Sequence, residues 1–186
     1  MFTLPWQIHI IDITYNFCRR VIDNEEQETS LAEAFRNLIF APENRRGYAE
    51  VLERLGFHEN SVYTVIAVNI GGSKSAAEQL RKTDSSLWHM LKHSRSASAM
   101  FYQDGNLITV RQNISNDEMR RLISDISQLE YDVKFNIGIS ESGSGYSTVS
   151  KCYNQAVSAL SVAKINEDKV VQYKNIGVYK LLFGIE

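Results

Sequence analysis

One nine-residue segment constrains the fold of this chain more than any other. Residues Val62 to Ile70 read VYTVIAVNI, an almost continuous run of β-branched and apolar side chains. Short runs of this composition are typical of strands that are buried on both faces of a sheet. The sequence therefore predicts a central strand here, with other elements of the fold packed on each side of it.

A second strong signal is the dipeptide Asp104-Gly105, which lies between two strand-like segments within residues 97–112. Asp-Gly is a preferred pair for the two-residue type I′ turn of a β-hairpin, because both positions need a positive φ. This turn predicts the register of the two strands. The expected cross-strand pairs are Tyr102 with Leu107, Phe101 with Ile108, and Ala99 with Val110.

Helix signals flank these strands. Two capping boxes, Ser30 with Glu33 and Ser115 with Glu118, are each followed by apolar residues at helical spacing. Such boxes predict helix starts, because the serine side chain and the glutamate side chain satisfy main-chain N–H groups of the first turn. Pro42 is expected to end the first of these two helices.

The remaining elements complete an α+β pattern. A helix from Arg46 to Leu55 is expected to stop at Gly56. Strands are predicted from Val133 to Ile139 and, at an edge, from Val170 to Tyr173, with a helix from Val149 to Ala163 between them. The order predicts a ferredoxin-like, nucleotide-cyclase-like antiparallel sheet with helices packed on it, preceded by N-terminal helices.

The N-terminal segment is predicted to be separate from this domain. We expect a linker helix within residues 1–28 and the domain itself at residues 29–186, after the polar segment NEEQET. A helix packed on its own domain and a helix that joins two copies in a homodimer both fit the heptad spacing of the apolar residues. These residues are Ile8, Ile11, Tyr15, Cys18 and Ile22.

Composition favours an ordinary globular protein. Hydrophobic residues make up 44% of the 186 residues, charged residues make up 23%, and the net charge is −2. The chain has no excess of basic residues that would attract the phosphates of nucleic acids or anionic lipids. No apolar run approaches the roughly 20 residues of a membrane span. We therefore expect a cytoplasmic protein without a membrane partner, in which Cys18 and Cys152 are small buried apolar residues.

The last quarter of the chain resembles a known family. Residues Phe135 to Leu182 contain FNIGIS, YNQAVSALSVAK and KVVQYKNIGVYKLL, in that order. This order and wording resemble the end of the GGDEF-like domain in PucR/CdaR-type bacterial transcription regulators. That domain is a relative of diguanylate cyclase domains that mostly lacks their catalytic residues. Similar domains occur in some AraC-type response regulators, which stay an alternative.

The resemblance also locates the positions where a cyclase site would lie. Active cyclases end the first strand with Asp-x-Asp-x-Phe-Lys, and their hairpin reads Gly-Gly-Asp-Glu-Phe. This chain lacks all four of those acids, although Mg²⁺ sites use carboxylates and phosphoryl transfer depends on the bound ions. The degenerate positions are Asn69, Gly71, Lys74, Gln103, Asp104, Gly105 and Asn106.

The resemblance therefore implies a regulatory domain without catalytic residues, metal or cofactor. The full regulator would carry a sensory region before this domain and a DNA-binding helix-turn-helix after it. We expect this chain to be a fragment that lacks the helix-turn-helix and does not bind operator DNA by itself, while a small-molecule effector stays open. Two other classes are an active nucleotide-processing enzyme, which the missing carboxylates disfavour, and a plain oligomerisation module.

Other polar groups favour structural roles. His89 and His93 have the i, i+4 spacing of metal ligands on a helix, but no third ligand is evident, so a solvated helix face is the favoured interpretation. Residues 143–145, Gly-Ser-Gly, resemble a fragment of a phosphate loop without its lysine. Together with the polar residues 140–142, they are predicted to form a flexible loop.

Overall fold

The computed structural model describes residues 26–41, 45–70, 86–92, 96–128 and 135–179. The predicted linker helix and its heptad seam lie outside the described residues, as do Gly71, Lys74 and His93. The boundary between residues 28 and 29 stays a prediction.

The described elements alternate between helices and strands along the chain. Helix α1 covers residues 26–40, α2 Arg45–Arg54, strand β1 Val62–Ile70 and α3 Ser86–Lys92. Strands β2 Ser98–Gln103 and β3 Asn106–Gln112 precede α4 Asn116–Gln128 and β4 Phe135–Ile139. Strand β5 Gly143–Ser144 and a 3-10 turn, Tyr146–Thr148, lead into α5 Val149–Asn166, β6 Val170–Gln172 and a second 3-10 turn, Tyr173–Asn175.

The strands form one six-stranded sheet in the order β2-β3-β1-β4-β6, and β5 pairs with the start of β1. Strand β1 is antiparallel to β3, β4 and β5. The predicted α+β, cyclase-like fold with a central β1 is confirmed. One pair differs from the antiparallel expectation: β6 lies parallel to β4, because α5 carries the chain back across the sheet between them.

Strand β1 divides the core into two layers, as its apolar composition predicts. Tyr63, Val65 and Ala67 pack in the layer that contains apolar residues of α1, α2 and α5. Ile66, Val68 and Ile70 face the opposite layer, where they meet residues of α3 and α4. The strand is therefore covered on both faces, which explains why its sequence lacks the apolar–polar alternation of a half-exposed strand.

The predicted hairpin is confirmed in register and turn geometry. Asp104 and Gly105 have φ angles of 49° and 76°, so both lie in the left-handed region that a type I′ turn requires. All three predicted cross-strand pairs form. The two residues of the turn are thus sufficient to align β2 with β3.

The first capping box is a wrong prediction, whereas the second is confirmed as a helix start and in its serine half only. Helix α1 already includes residues 26–29, so Ser30 lies inside the helix. The Glu and Gln residues at positions 26–28 have high helix propensity, which favours helix over a polar break there. At α4, the Glu118 main-chain N–H donates to Ser115 Oγ at 3.1 Å. The Glu118 carboxylate accepts from Ser96 Oγ at 3.2 Å.

The segment after β4, predicted as a flexible loop, is bonded to the sheet: residues 143–144 form β5, and residues 140–142 are irregular. Gly143 pairs with Tyr63 of β1. Ser140 Oγ accepts a hydrogen bond from the Val65 N–H at 2.9 Å. Ser142 Oγ lies 2.8 Å from Thr64 Oγ1. The small polar residues therefore satisfy hydrogen bonds of β1 beyond the end of β4, a tertiary role that their loop-like composition does not reveal.

Helix α5 contacts β4 main chain to main chain at Gly138. A Cβ atom at this position would lie 2.1 Å from the carbonyl oxygen of Ala156 and 2.2 Å from the nitrogen of Leu160. Main-chain atoms inside a helix cannot move aside as a flexible side chain can. Only glycine is therefore compatible with this helix–sheet distance.

Replacing Gly138 with alanine should strongly destabilise the protein. We expect Gly138→Ala to lower the free energy of unfolding by about 3 kcal/mol or more, because the methyl group overpacks the contact. Gly47→Ala is the matched control, since a methyl group added to Gly47 in α2 would have no other atom within 4 Å, and alanine there should add about 0.5–1 kcal/mol. Urea unfolding measures both values. Equal stability of the two variants would contradict this packing.

Two buried tyrosines, Tyr63 in β1 and Tyr146 in the turn before α5, bond to main-chain carbonyl groups in the segment before β1. The Tyr146 hydroxyl donates to the Phe57 carbonyl at 2.6 Å, and the Tyr63 hydroxyl donates to the His58 carbonyl at 2.7 Å. Burial raises the pKa of Tyr146 to about 12 and, still more strongly, the pKa of Tyr63. Negative charge on Glu53 adds to both shifts. The folded protein therefore favours the protonated form of both rings.

These raised pKa values predict alkaline destabilisation. A tyrosine with a raised pKa in the folded state contributes stability that is complete below its ordinary value of about 10 and is lost as the pH rises further. The free energy of unfolding should fall above about pH 10, and it should fall less steeply in Tyr146→Phe. Urea unfolding across this range tests it, with Tyr48→Phe as the control. Identical pH slopes in Tyr146→Phe and the parent protein would refute the assignment.

Candidate functional site

The end of β1 and the β2–β3 turn meet on the sheet. Val68 is paired with Leu107 in the antiparallel register, which brings the next residue, Asn69, beside Asn106. The Asn69 side chain donates from Nδ2 to Asn106 Oδ1 at 2.9 Å. The structure therefore unites one residue from each of the two degenerate motifs, and this contact is called the amide pair below.

The rest of the turn satisfies its own polar groups. Asn106 Nδ2 donates to the Asp104 carbonyl at 3.3 Å, and Gln103 Nε2 donates to Asp104 Oδ1 at 3.2 Å. Asp104 and Gly105 are exposed at the tip. The carboxylate of Asp104 thus serves the turn, whereas the amide pair lies half-buried behind it.

The amide pair does not fit a magnesium site. Mg²⁺ takes hard oxygen ligands and is normally held by at least one carboxylate, which also offsets the charge of the ion. Asn69 and Asn106 are neutral, and one amide hydrogen of Asn69 is committed to Asn106. Within the described ranges, no three His, Cys, Asp or Glu side chains are grouped so that they could hold a metal ion.

The other candidate residues lie apart from the amide pair. His89 is exposed on α3, and His93 lies outside the described residues. Cys152 is a free thiol that is 3% exposed, as predicted for a small apolar residue, and burial raises its pKa. A buried thiol with a raised pKa is a poor nucleophile. Cys152 therefore has a packing role.

Sequence reasoning missed Arg111, whose side chain is fully buried. Its guanidinium donates to the Met90 carbonyl at 3.0 Å and to the Leu91 carbonyl in the last turn of α3. A cation is favourable at this end of a helix, where carbonyl groups lack partners. Burial lowers the pKa of Arg111 to about 10, while the negative charge of Glu118 opposes that shift. The available signal was a charged residue within the apolar strand LITVRQ.

The fold and the hairpin together define a domain with a nucleotide-cyclase-like architecture. The family model for the GGDEF-like domain matches residues 41–162. This range is more than half of the 186 residues, and the chain belongs to the GGDEF-like domain family.

One solved structure shows the extent of the likeness. The crystal structure of a regulator of polyketide synthase expression from Bifidobacterium adolescentis is similar at 14% sequence identity, with a TM-score of 0.48. The match covers 74% of this chain and 54% of that chain, so this chain spans about half the length of that protein. No curated protein matches the sequence significantly. None of the helices in the described part of the chain has the length and apolar character needed to cross a membrane.

Restoring two carboxylates should create cation affinity at the amide pair. We expect Asn69→Asp combined with Asn106→Asp to lower the melting temperature without metal, because two adjacent negative charges repel each other. Millimolar Mg²⁺ or Mn²⁺ should then raise it, since an ion that binds only the folded state stabilises it. Calorimetric melting tests this, with the exposed Asn154→Asp as control. A metal response in the parent protein, or none in the double variant, would contradict the proposed geometry.

Proposed function

We propose that this chain is a non-catalytic, signal-transmitting domain of a bacterial transcription regulator of the PucR/CdaR type. The amide pair is the observation that carries the proposal. It occupies the position where an active relative would present two acids to a metal ion, and its members bond each other at 2.9 Å.

We assign a non-catalytic role because the amide pair carries no negative charge. Phosphoryl transfer depends on cations that neutralise the phosphates and the charge that develops on them. A pair of neutral amides supplies no negative charge to retain those cations. Side chains of the hairpin turn are engaged in local hydrogen bonds within the turn.

The packing of α1 supports a role in signal transmission. Phe35 and Leu38 are buried beneath the sheet, and the Phe35 ring lies 5.0 Å from the ring of Phe57, in an edge-to-face contact. A shift of α1 would therefore disturb the core directly, because close-packed interiors transmit displacements. In this proposal, residues before α1 deliver the signal through a homodimeric helix, and DNA contacts come from another domain of the regulator.

Nucleotide binding and turnover test the proposal directly. Titration calorimetry of the protein with GTP and Mg²⁺ should give no Mg²⁺-dependent binding, and chromatography after prolonged incubation should recover unchanged GTP. ATP serves as the comparison nucleotide, and an active diguanylate cyclase as the positive control. Mg²⁺-dependent GTP binding accompanied by turnover would overturn the non-catalytic assignment and support the enzyme class instead.

A further inference from the structure

The outer edge of β2 lies at the bottom of a cleft between two helices. Helix α1 packs on one face of the sheet and α3 on the other, and residues of both helices line the cleft. The cleft between them has a volume of about 430 Å³, within the range of roughly 300–1,000 Å³ that is usual for small-molecule sites. It lies on β2, whereas the amide pair joins β1 to β3.

The strand edge provides hydrogen-bonding groups to this cleft. The Gln112 N–H donates to the Ala97 carbonyl at 2.9 Å, so in an antiparallel ladder Ala99 and Phe101 also bond to β3. The alternating residues Ser98, Met100 and Tyr102 then direct their main-chain groups away from β3, and all three line the cleft. Arg36 Nη2 donates a hydrogen bond to the Tyr102 carbonyl at 3.2 Å, which agrees with a carbonyl that points away from β3.

An ion pair connects the two helices across the cleft. Lys92 Nζ of α3 lies 2.8 Å from Glu28 Oε1 of α1, and these side chains are 36% and 54% exposed. The same ammonium lies 6.0 Å from the centroid of the Trp88 ring. Exposed ion pairs contribute little to stability, because water screens both charges. Another carboxylate can therefore replace Glu28 on Lys92 at little cost.

The walls of the cleft combine polar and apolar side chains and include flat rings. Trp88, Phe101, Met100 and Leu107 line it, and the Arg36 guanidinium lies 5.4 Å from the Phe101 ring centroid. Aromatic faces and a stacked guanidinium suit a planar apolar body. The two cations are offset by Glu28 and Glu33, so the cleft has no charge excess that would favour a polyanion such as a nucleoside triphosphate.

We propose that this cleft binds a small organic acid with one carboxylate and a planar apolar body. The carboxylate displaces Glu28 from Lys92, and the planar body lies against Trp88.

Binding would also change what holds the start of α1. Once its partner is taken, Glu28 no longer joins the first described turn of α1 to α3, so the ligand loosens a contact between the two helices. This consequence rests on the proposed signalling function. The binding itself does not, and it is measured with a different ligand from the GTP experiment. A failure here would leave the amide-pair argument intact, and the reverse also holds.

The test uses 2-naphthoate as the probe and 2-naphthamide as its uncharged twin. Titration calorimetry should show at least several-fold tighter binding of 2-naphthoate to the parent protein. NMR spectra with ¹⁵N labelling should show the largest shifts at the Trp88 indole and at Met100. Lys92→Met should reduce the affinity for 2-naphthoate to that for 2-naphthamide.

Glu28→Gln separates this mechanism from a structural role of the ion pair. Removing the competing carboxylate should tighten 2-naphthoate binding by about two- to fivefold, the factor that corresponds to an exposed ion pair. Glu50→Gln, an exposed site on α2, should leave the affinity unchanged. Circular dichroism verifies folding, and Glu28→Gln decides the question if Lys92→Met does not fold. No binding, equal affinity for the two probes, unchanged or weaker binding by Glu28→Gln, or shifts centred outside the cleft would each overturn the proposal.

Discussion

The contact between Gly138 and α5 determines the spacing on which much of this domain depends. Because a helix lies directly on the main chain of β4, α5 sits deeper than side-chain packing alone would allow, and ten of its eighteen residues are buried. That depth positions the 3-10 turn before α5, whose Tyr146 reaches the Phe57 carbonyl. The same depth returns the chain to β4 after the helix, so that β6 pairs with β4 in parallel. The absence of a side chain at Gly138 therefore affects the position of both ends of α5.

The geometry of the amide pair depends on the packing of the sheet rather than on a metal ion. The register of β1 against β3 is set by buried apolar residues, and the hairpin turn aligns β3 with β2; neither involves a metal ion. Asn69 and Asn106 lie at the margin of that arrangement. Two carboxylates held together need a cation to offset their repulsion, whereas two amides stabilise each other as donor and acceptor. The packing of the sheet is therefore compatible with either two carboxylates or two amides at these two positions.

Local chemistry is readable from the sequence, and long-range contacts are not. Asp104-Gly105 determines its turn through φ preferences of two adjacent residues, so the hairpin register could be predicted. The site positions followed from their alignment with a known motif. Ser140 and Arg111 differ, because their partners, Val65 and the carbonyls of α3, lie far away in sequence. The segment from Glu26 to Glu28 resembles a break because it carries no apolar periodicity, although its residues favour a helix.

The position of α1 has a consequence for how the folding unit is delimited. The family match begins at residue 41, but α1 ends at residue 40 and contributes Phe35, Leu38 and Ile39 to the interior. A protein trimmed to the family match would lose one wall of its core and uncover the aromatic ring of Phe57. It would also leave β2 open to pairing with strands of other molecules, the usual route from an unprotected sheet to aggregates. The helix before the matched range is therefore a solubility element as well as a structural one.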